Sequence, residues 1–300
     1  MPQISDFNWV DRREYPFRSH YHATQYGAMH YVDEGSGDVV LCLHGNPTWS
    51  FMYRHVIKGL SGNFRVVAPD YLGFGLSDKP WNVSYRPQFH AETIEHFIEK
   101  LGLKNITLVV HDWGGAIGMS YAVSHPENIA RLIILNTSAW PIKGNKSVEQ
   151  FSALLGGPVG IFLCRYFNAF PSLVMPFAYG DKKKLTKAIH RQYIKPFPTP
   201  TSRKGTWVLP KAITGERDWL ASIWAKHESL THRPIQLLWG LKDPAFSMRE
   251  VERWRRSFSN HTVHTFADVG HFVLEELGPD AVPLIESFLD ADSRGTRVAI

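Results

Sequence analysis

Asp112, Asp243 and His271 are residue types that together support covalent hydrolysis: one carboxylate to attack carbon, a histidine to take a proton from water, and a second carboxylate to orient that histidine. Asp112 stands in the run His111, Asp112, Trp113, Gly114, Gly115, just past the apolar stretch 106–110. A reactive side chain between a strand and a helix, with two glycines behind it, is the plan of a nucleophile elbow, because so sharp a turn brings backbone against backbone. Taken alone, an aspartate after a strand reads as a helix N-cap. Its company changes that weighting. Asp243 follows the apolar stretch 235–239 and His271 follows 262–266, so all three fall at strand C-terminal ends, on one edge.

Such loops need a scaffold, and strand-like and helix-like segments alternate to provide it. An opening hairpin is expected over 19–24 and 28–33, then strands over 39–43, 64–68, 106–110, 132–135, 235–239 and 262–266. Helices are expected over 51–60, 86–101, 116–124 and 248–258, with a closing helix after His271. This alternation predicts an α/β chain with a mostly parallel eight-stranded sheet and helices on both faces. The pattern breaks at 140–222, where short aromatic-rich helices and prolines replace strands, and this piece reads as an inserted helical cap over the strand ends. The predicted division is core 1–139, cap 140–222 and core 223–300, with residues 290–300 a frayed tail.

Composition narrows the function classes. The chain has 300 residues, 44% of them apolar, enough for one large core with an insertion. Its net charge of +5 is scattered, with one short cluster at 182–184, which argues against a nucleic-acid surface. Cys42 and Cys164 lie in apolar runs and read as buried, unbridged thiols. No signal-peptide pattern and no run of roughly 18 apolar residues occurs, so a cytoplasmic protein without a membrane partner is expected. No H-E-x-x-H pair or Cys/His cluster has metal-ligand spacing, and Gly73 and Gly75 lack the third glycine of a dinucleotide loop. Neither metal nor cofactor is expected. Among the 15 histidines, His20, His22, His55 and His261 read as surface or structural, and His44 and His111 as hydrogen-bonding supports of the loops beside the site.

The runs His44-Gly45-Asn46-Pro47, His111-Asp112-Trp113-Gly114-Gly115 and Asp268-Val269-Gly270-His271-Phe272 resemble those of the haloalkane dehalogenases, an α/β-hydrolase-fold family. The likeness spans nearly the whole chain and is weakest in the cap. The H-D-W-G piece is shared with epoxide hydrolases, and Asn46 joined to Trp113 narrows it. The resemblance implies the chain order nucleophile Asp112, acid Asp243, base His271. It implies an oxyanion hole made by the backbone amides of Asn46 and Trp113. It also implies halide binding by the Asn46 carboxamide and the Trp113 indole, which polarise a departing halide without giving up a proton. Some members place the acid after the preceding strand, where this chain has Asn136, which cannot carry the charge. An acid at Asp243 with an asparagine donor is similar to the third subgroup, which is prone to self-association, so a homo-oligomer stays open. The implied partners are a small apolar haloalkane, water and halide, reacting through an aspartyl alkyl ester to the primary alcohol.

Rival readings use the same residues. Epoxide hydrolases must protonate an alkoxide and carry two cap tyrosines, one directly after a tryptophan; here Val208 follows Trp207, while Tyr166, Tyr179 and Tyr193 remain available. Coelenterazine-oxidising luciferases share the H-G-N and H-D-W-G pieces, and a non-catalytic receptor would keep the fold without turnover. In the cap, Phe162, Phe167, Phe170, Met175 and Phe177 either wall a dry pocket or pack the cap onto the core.

Overall fold

The computed structural model describes residues 7–295. Eight strands form one sheet in the order β1-β2-β4-β3-β5-β6-β7-β8. They are β1 (His20–Thr24), β2 (Gly27–Glu34), β3 (Val39–Leu43), β4 (Arg65–Pro69), β5 (Ile106–His111), β6 (Ile129–Leu135), β7 (Ile235–Gly240) and β8 (His261–Phe266). β2 pairs antiparallel with β1 and β4, and every other pairing is parallel.

Alternate residues of each central strand enter opposite cores. Val39, Leu41 and Leu43 of β3 pack on one face and Val40 and Cys42 on the other; Leu132 and Ile134 of β6 are likewise opposed by Ile133. A strand buried on both faces needs an apolar residue at every position, which is why these runs are continuous. Parallel neighbours also need crossovers, and helices supply them. α2 (Pro87–Lys100) and α3 (Trp113–Ser124) cover the first face through Ile94, Phe97, Ile117 and Met119. α1 (Arg54–Leu60) covers the second through Val56 and Ile57. Cys42 and Cys164 are buried and free, as expected.

Between β6 and β7 the chain is helical, with no strand among the described residues. It runs through α4 (Lys146–Gly156), α5 (Pro158–Phe167), the single turn α6 (Met175–Phe177), α7 (Lys187–Ile194), α8 (Gly205–Gly215) and α9 (Arg217–Trp224). After β7 come α10 (Met248–Ser257), opened by a Ser247/Glu250 capping box, then α11 (Val273–Leu277) and α12 (Ala281–Gly295).

Some boundaries differ from the sequence reading. The helix expected over 51–60 is a 3-10 turn at Ser50–Tyr53 followed by α1. α3 begins at Trp113 rather than 116, because Gly114 and Gly115 lie inside its first turn. The closing helix is two, broken at Gly278-Pro279. α12 takes in residues 290–295 of the expected tail, and the rest of it, 296–300, lies outside the described residues.

Asp70, just past β4, secures the loops beneath the strand ends. Fully buried, it accepts from Ser50 N and Leu76 N at 2.8 Å each and meets His30 Nδ1 at 2.9 Å. Burial alone pushes its carboxyl up, but His30, His44 and the Leu76 N–H outweigh burial and hold it below the ordinary 3.8. Asp70→Asn should therefore cost about 3 kcal/mol of unfolding free energy, the scale of breaking a buried pair. A carboxyl depressed in the folded state contributes fully above its unfolded pKa of about 4 and loses that contribution as pH falls through the lower folded value. Urea titrations at stepped pH should show the wild-type and variant stabilities converging below about pH 4. A gap constant with pH would remove Asp70 from the acid response.

Candidate active site

Asp112 joins β5 to α3 with φ 49° and ψ −126°, a backbone state that costs a non-glycine residue of order 1–3 kcal/mol. Neighbours on both sides hold the turn. The Asp112 carbonyl accepts from Gly115 N at 2.9 Å and from the Thr137 hydroxyl. A Cβ on Gly114 would lie 2.0 Å from the Leu43 carbonyl oxygen, so β3 and the start of α3 approach this closely only with glycine there. On the side-chain end, a Cβ on Gly45 would lie 2.3 Å from Asp112 Oδ2. The loop after β3 is thereby pressed against the carboxylate.

Oδ2 of Asp112 accepts the Asn46 backbone N–H at 2.8 Å, and the Trp113 N–H also stabilises this carboxylate. Burial raises the Asp112 pKa above its ordinary 3.8, opposed by His271 and these two amides. His271, after β8, holds Asp243 Oδ2 at 2.8 Å through Nδ1. Burial pulls its pKa down, but Asp243 first, then Asp112 and Glu276, bring it above the ordinary 6.5. The Nδ1 contact leaves Nε2 as the titrating nitrogen. Asp243 also accepts from Ala245 N and Asn136 Nδ2, at 2.7 Å each, so its charge is met from three directions.

The structure thus brings Asn46, Asp112, Trp113, Asp243 and His271 to one cavity of about 290 Å³ at the C-terminal ends of β3, β5, β7 and β8. The rest of the lining is mostly apolar: Phe151, Phe170, Val174, Met175 and Phe177 from one side, Leu220, Phe246 and Phe272 from the other. The buried indoles of Trp49, Trp239 and Trp254 donate to the carbonyls of Gln192, Phe246 and Thr137. The Trp113 indole, on the cavity wall, has no protein acceptor among the described residues. Among the described residues no tyrosine, lysine or arginine lines the cavity. Nor, among them, is any group of histidine, cysteine and acidic side chains arranged to hold a metal ion.

Several residues depart from the sequence reading. Phe170, Met175 and Phe177 line the cavity, but Phe162 and Phe167 are 53% and 65% exposed on the outer side of α5. Their helix packs inward through Gly160 and Cys164 instead. Tyr193 is turned to Glu275, Tyr179 packs on Phe272 and Tyr166 is exposed, so none reaches the cavity. His111 Nε2 bonds the His271 carbonyl at 2.8 Å, and His44 bridges the Gly45 carbonyl and the Tyr71 N–H, the loop-holding contacts expected of both.

Two supports escaped the sequence reading altogether. Asn136, considered only as a place where an acid was missing, donates to Asp243 and to the Gly240 carbonyl and accepts from Gly240 N. Glu276, buried, accepts from Gly270 N, Gly180 N and Asp181 N at 2.8, 3.1 and 2.8 Å. It ties the loop that carries His271 to the helical segment across the cavity, as does the bond from His271 N to the Ala178 carbonyl at 2.8 Å. An acid five residues after the histidine in a short helix was the one local signal for it.

Comparison with known proteins places this geometry. The family model for the alpha/beta hydrolase fold matches residues 38–159. A cis-3-alkyl-4-alkyloxetan-2-one decarboxylase of Shewanella oneidensis is 34% identical over 293 residues, covering 94% of this chain and 92% of that protein. Haloalkane dehalogenase 2 of Mycobacterium tuberculosis is 35% identical over 282 residues, covering 93% and 97%. The crystal structure of a haloalkane dehalogenase from Bradyrhizobium elkani superposes with a TM-score of 0.81 at 26% identity, covering 92% of this chain and 99% of that one. With relatives this similar along nearly its whole length, the chain belongs to the haloalkane dehalogenase family of the α/β-hydrolase fold.

Proposed function

We propose that this protein hydrolyses haloalkanes through an alkyl ester on Asp112, with residues 1–139 and 223–300 as catalytic core and 140–222 as cap. The observation that carries the reading is the pairing of a buried carboxylate with the Trp113 indole and Asn46 in a cavity whose lining is mostly apolar and, among the described residues, includes no tyrosine. Because Oδ2 of Asp112 is held by the Asn46 N–H, Oδ1 is the attacking oxygen. It forms a bond to the sp3 carbon as the carbon–halogen bond breaks. The electron pair leaves with halide, which is too weak a base to need a proton. Charge grows on the halogen in the transition state, so the indole and carboxamide donors bind more strongly there and lower the barrier.

In the second step His271 takes a proton from water, and the hydroxide attacks Cγ of the ester. Oδ2 becomes the oxyanion, already facing the amides of Asn46 and Trp113. Collapse breaks the Cγ–Oδ1 bond, the His271 imidazolium returns its proton to the departing alkoxide, and the acid left on Asp112 ionises, for a net yield of primary alcohol, halide and a proton. Asp243 fixes the imidazole tautomer and stabilises the imidazolium. An epoxide would leave as alkoxide and require a proton donor at the opposite wall, where Tyr166, Tyr179 and Tyr193 are all absent.

A second reading is favoured by the 34% identity to an oxetan-2-one decarboxylase. Attack of Asp112 on the ring sp3 carbon would break its bond to oxygen and expel a carboxylate. That leaving group, like halide, needs no proton, so the same indole and carboxamide would serve it. Loss of CO2 would then drive electrons into a new C=C bond and return the Asp112 carboxylate, with no water consumed.

His271→Gln separates the two. With 1-bromobutane or 1,2-dibromoethane, intact-protein mass should show one alkyl group, mapped to Asp112, with stoichiometric bromide. Absence of both adduct and bromide, with no halide released by the wild type across a panel of chain lengths, would reject dehalogenation. Alkene and CO2 from a cis-3,4-dialkyloxetan-2-one, undiminished in His271→Gln, would establish the second reading. A pH measurement tests the electrostatics. Esterification removes the Asp112 charge that helps raise the His271 pKa in the resting enzyme. The acid limb of single-turnover ester hydrolysis should therefore lie below the His271 titration measured by NMR in the free protein. A limb at or above that value would reject the charge coupling between Asp112 and His271.

A further inference from the structure

The outer face of α5 is apolar where a soluble helix is ordinarily polar. Val159, Phe162, Leu163, Tyr166 and Phe167 are all exposed, at spacings of three and four that put them on one stripe. Phe162 packs its ring against Tyr166 at 5.1 Å and Phe167 at 5.9 Å, so the stripe is one continuous aromatic surface. Leu173 and Phe177, on the segment that follows, are likewise exposed at 69% and 70%, and Phe177 also lines the active-site cavity. Exposed apolar side chains of the cap thus include one that belongs to the wall of the pocket.

Although the cations are spread along the sequence, their excess over acids falls on the same part of the molecule, which corrects the reading of an evenly scattered charge. Residues 140–222 hold thirteen lysines and arginines against four acids, whereas the rest of the chain holds twenty against twenty-four. Among the described residues, Arg217 with Glu149 is the ion pair made by these cations within the cap. Several of the others border the apolar stripe. Lys182 lies over the Phe177 ring, and Arg165 and Lys204 flank the exposed Trp81 at 5.0 and 5.1 Å. A tryptophan clasped by cations beside an aromatic stripe is the side-chain set that sits at a bilayer headgroup boundary.

We propose that the cap docks peripherally on an anionic lipid surface, with the α5 stripe in the interfacial layer and the surrounding lysines on the headgroups. Among the described residues no single helix is long and apolar enough to span a bilayer, and α4 with α5, which together would suffice by length and composition, are bent by 61°, so the proposed contact is peripheral. Docking would bring Phe177 and the pocket wall to the phase in which an apolar substrate concentrates. That consequence rests on the dehalogenase or decarboxylase reading, but the docking itself does not.

The test uses the full chain and two sets of vesicles, phosphatidylcholine alone and phosphatidylcholine with phosphatidylglycerol. The protein should float with the anionic vesicles at low salt and be released as salt rises. Phe162→Ser with Phe167→Ser should lower partitioning at least tenfold. Lys182 and Lys183 both changed to Gln should lower it about twenty-fivefold, fivefold for each charge. Phe162→Trp, whose fold is checked by near-UV circular dichroism, should be quenched by bromolipids in the anionic vesicles more strongly than the wild type. Absent flotation at low salt, equal binding to both vesicle types, or no added quenching in Phe162→Trp would each overturn the proposal. So would a concentration-dependent dimer that the double serine variant dissolves while no vesicle binding occurs, because the stripe would then belong to a second copy.

Discussion

The turn at Asp112 is the constraint on which the rest of the site depends. Its positive φ is unfavourable, and it persists because the three central strands leave it no alternative. β3 presses the Leu43 carbonyl against Gly114, β6 supplies the Thr137 hydroxyl to the Asp112 carbonyl from the loop at its end, and the loop after β3 closes on the carboxylate at Gly45. The contacts come from the strands on both sides of β5, so the turn is as rigid as the parallel sheet itself. A carboxylate fixed in this way loses little freedom when it attacks, which is what positioning contributes to a displacement at carbon.

Three buried carboxylates lie within this region, and each is satisfied differently. Asp112 keeps two backbone amides and borders a largely apolar cavity, so its pKa rises. Asp243 is surrounded by Asn136, Ala245 N and His271, and its charge is spent on orienting the imidazole. Glu276 accepts three backbone N–H groups from two segments and holds loops together. Removing a partner from any of them would leave an orphaned group costing roughly 1–3 kcal/mol. Their common effect on His271 is electrostatic, since all three raise its pKa against burial.

How much of this was legible in the sequence follows the range of the signal. The strands were readable because a doubly buried strand writes its environment into consecutive residues such as 39–43 and 106–110. Asp112, Asp243 and His271 were readable as candidates because each follows such a strand. Asn136 and Glu276 were not, because their partners lie 104 or 107 and up to 96 residues away, and an asparagine or a glutamate carries no local mark of a distant N–H. Phe162 and Phe167 were opaque for another reason. Apolar type states a preference for leaving water, and only the packing of α5 through Gly160 and Cys164 decides which side of the helix faces in.

On the proposed chemistry, the division of labour across the cavity would let one scaffold serve more than one leaving group. Every charged atom of the site comes from loops at the sheet edge, where the strands fix position. The facing helices contribute mostly hydrocarbon, with Ser147 their hydroxyl at the wall. A halide and a carboxylate share weak basicity and a need for non-transferring donors, and on that proposal the edge formed by Asn46 and Trp113 would meet both. Which molecule reaches that edge is decided by the shape of the apolar half, so substrate preference should vary with the cap while the chemistry at Asp112 stays constant. A wall that must also admit apolar substrate from outside has reason to keep its phenylalanines near the surface, and Phe177 stands in both places.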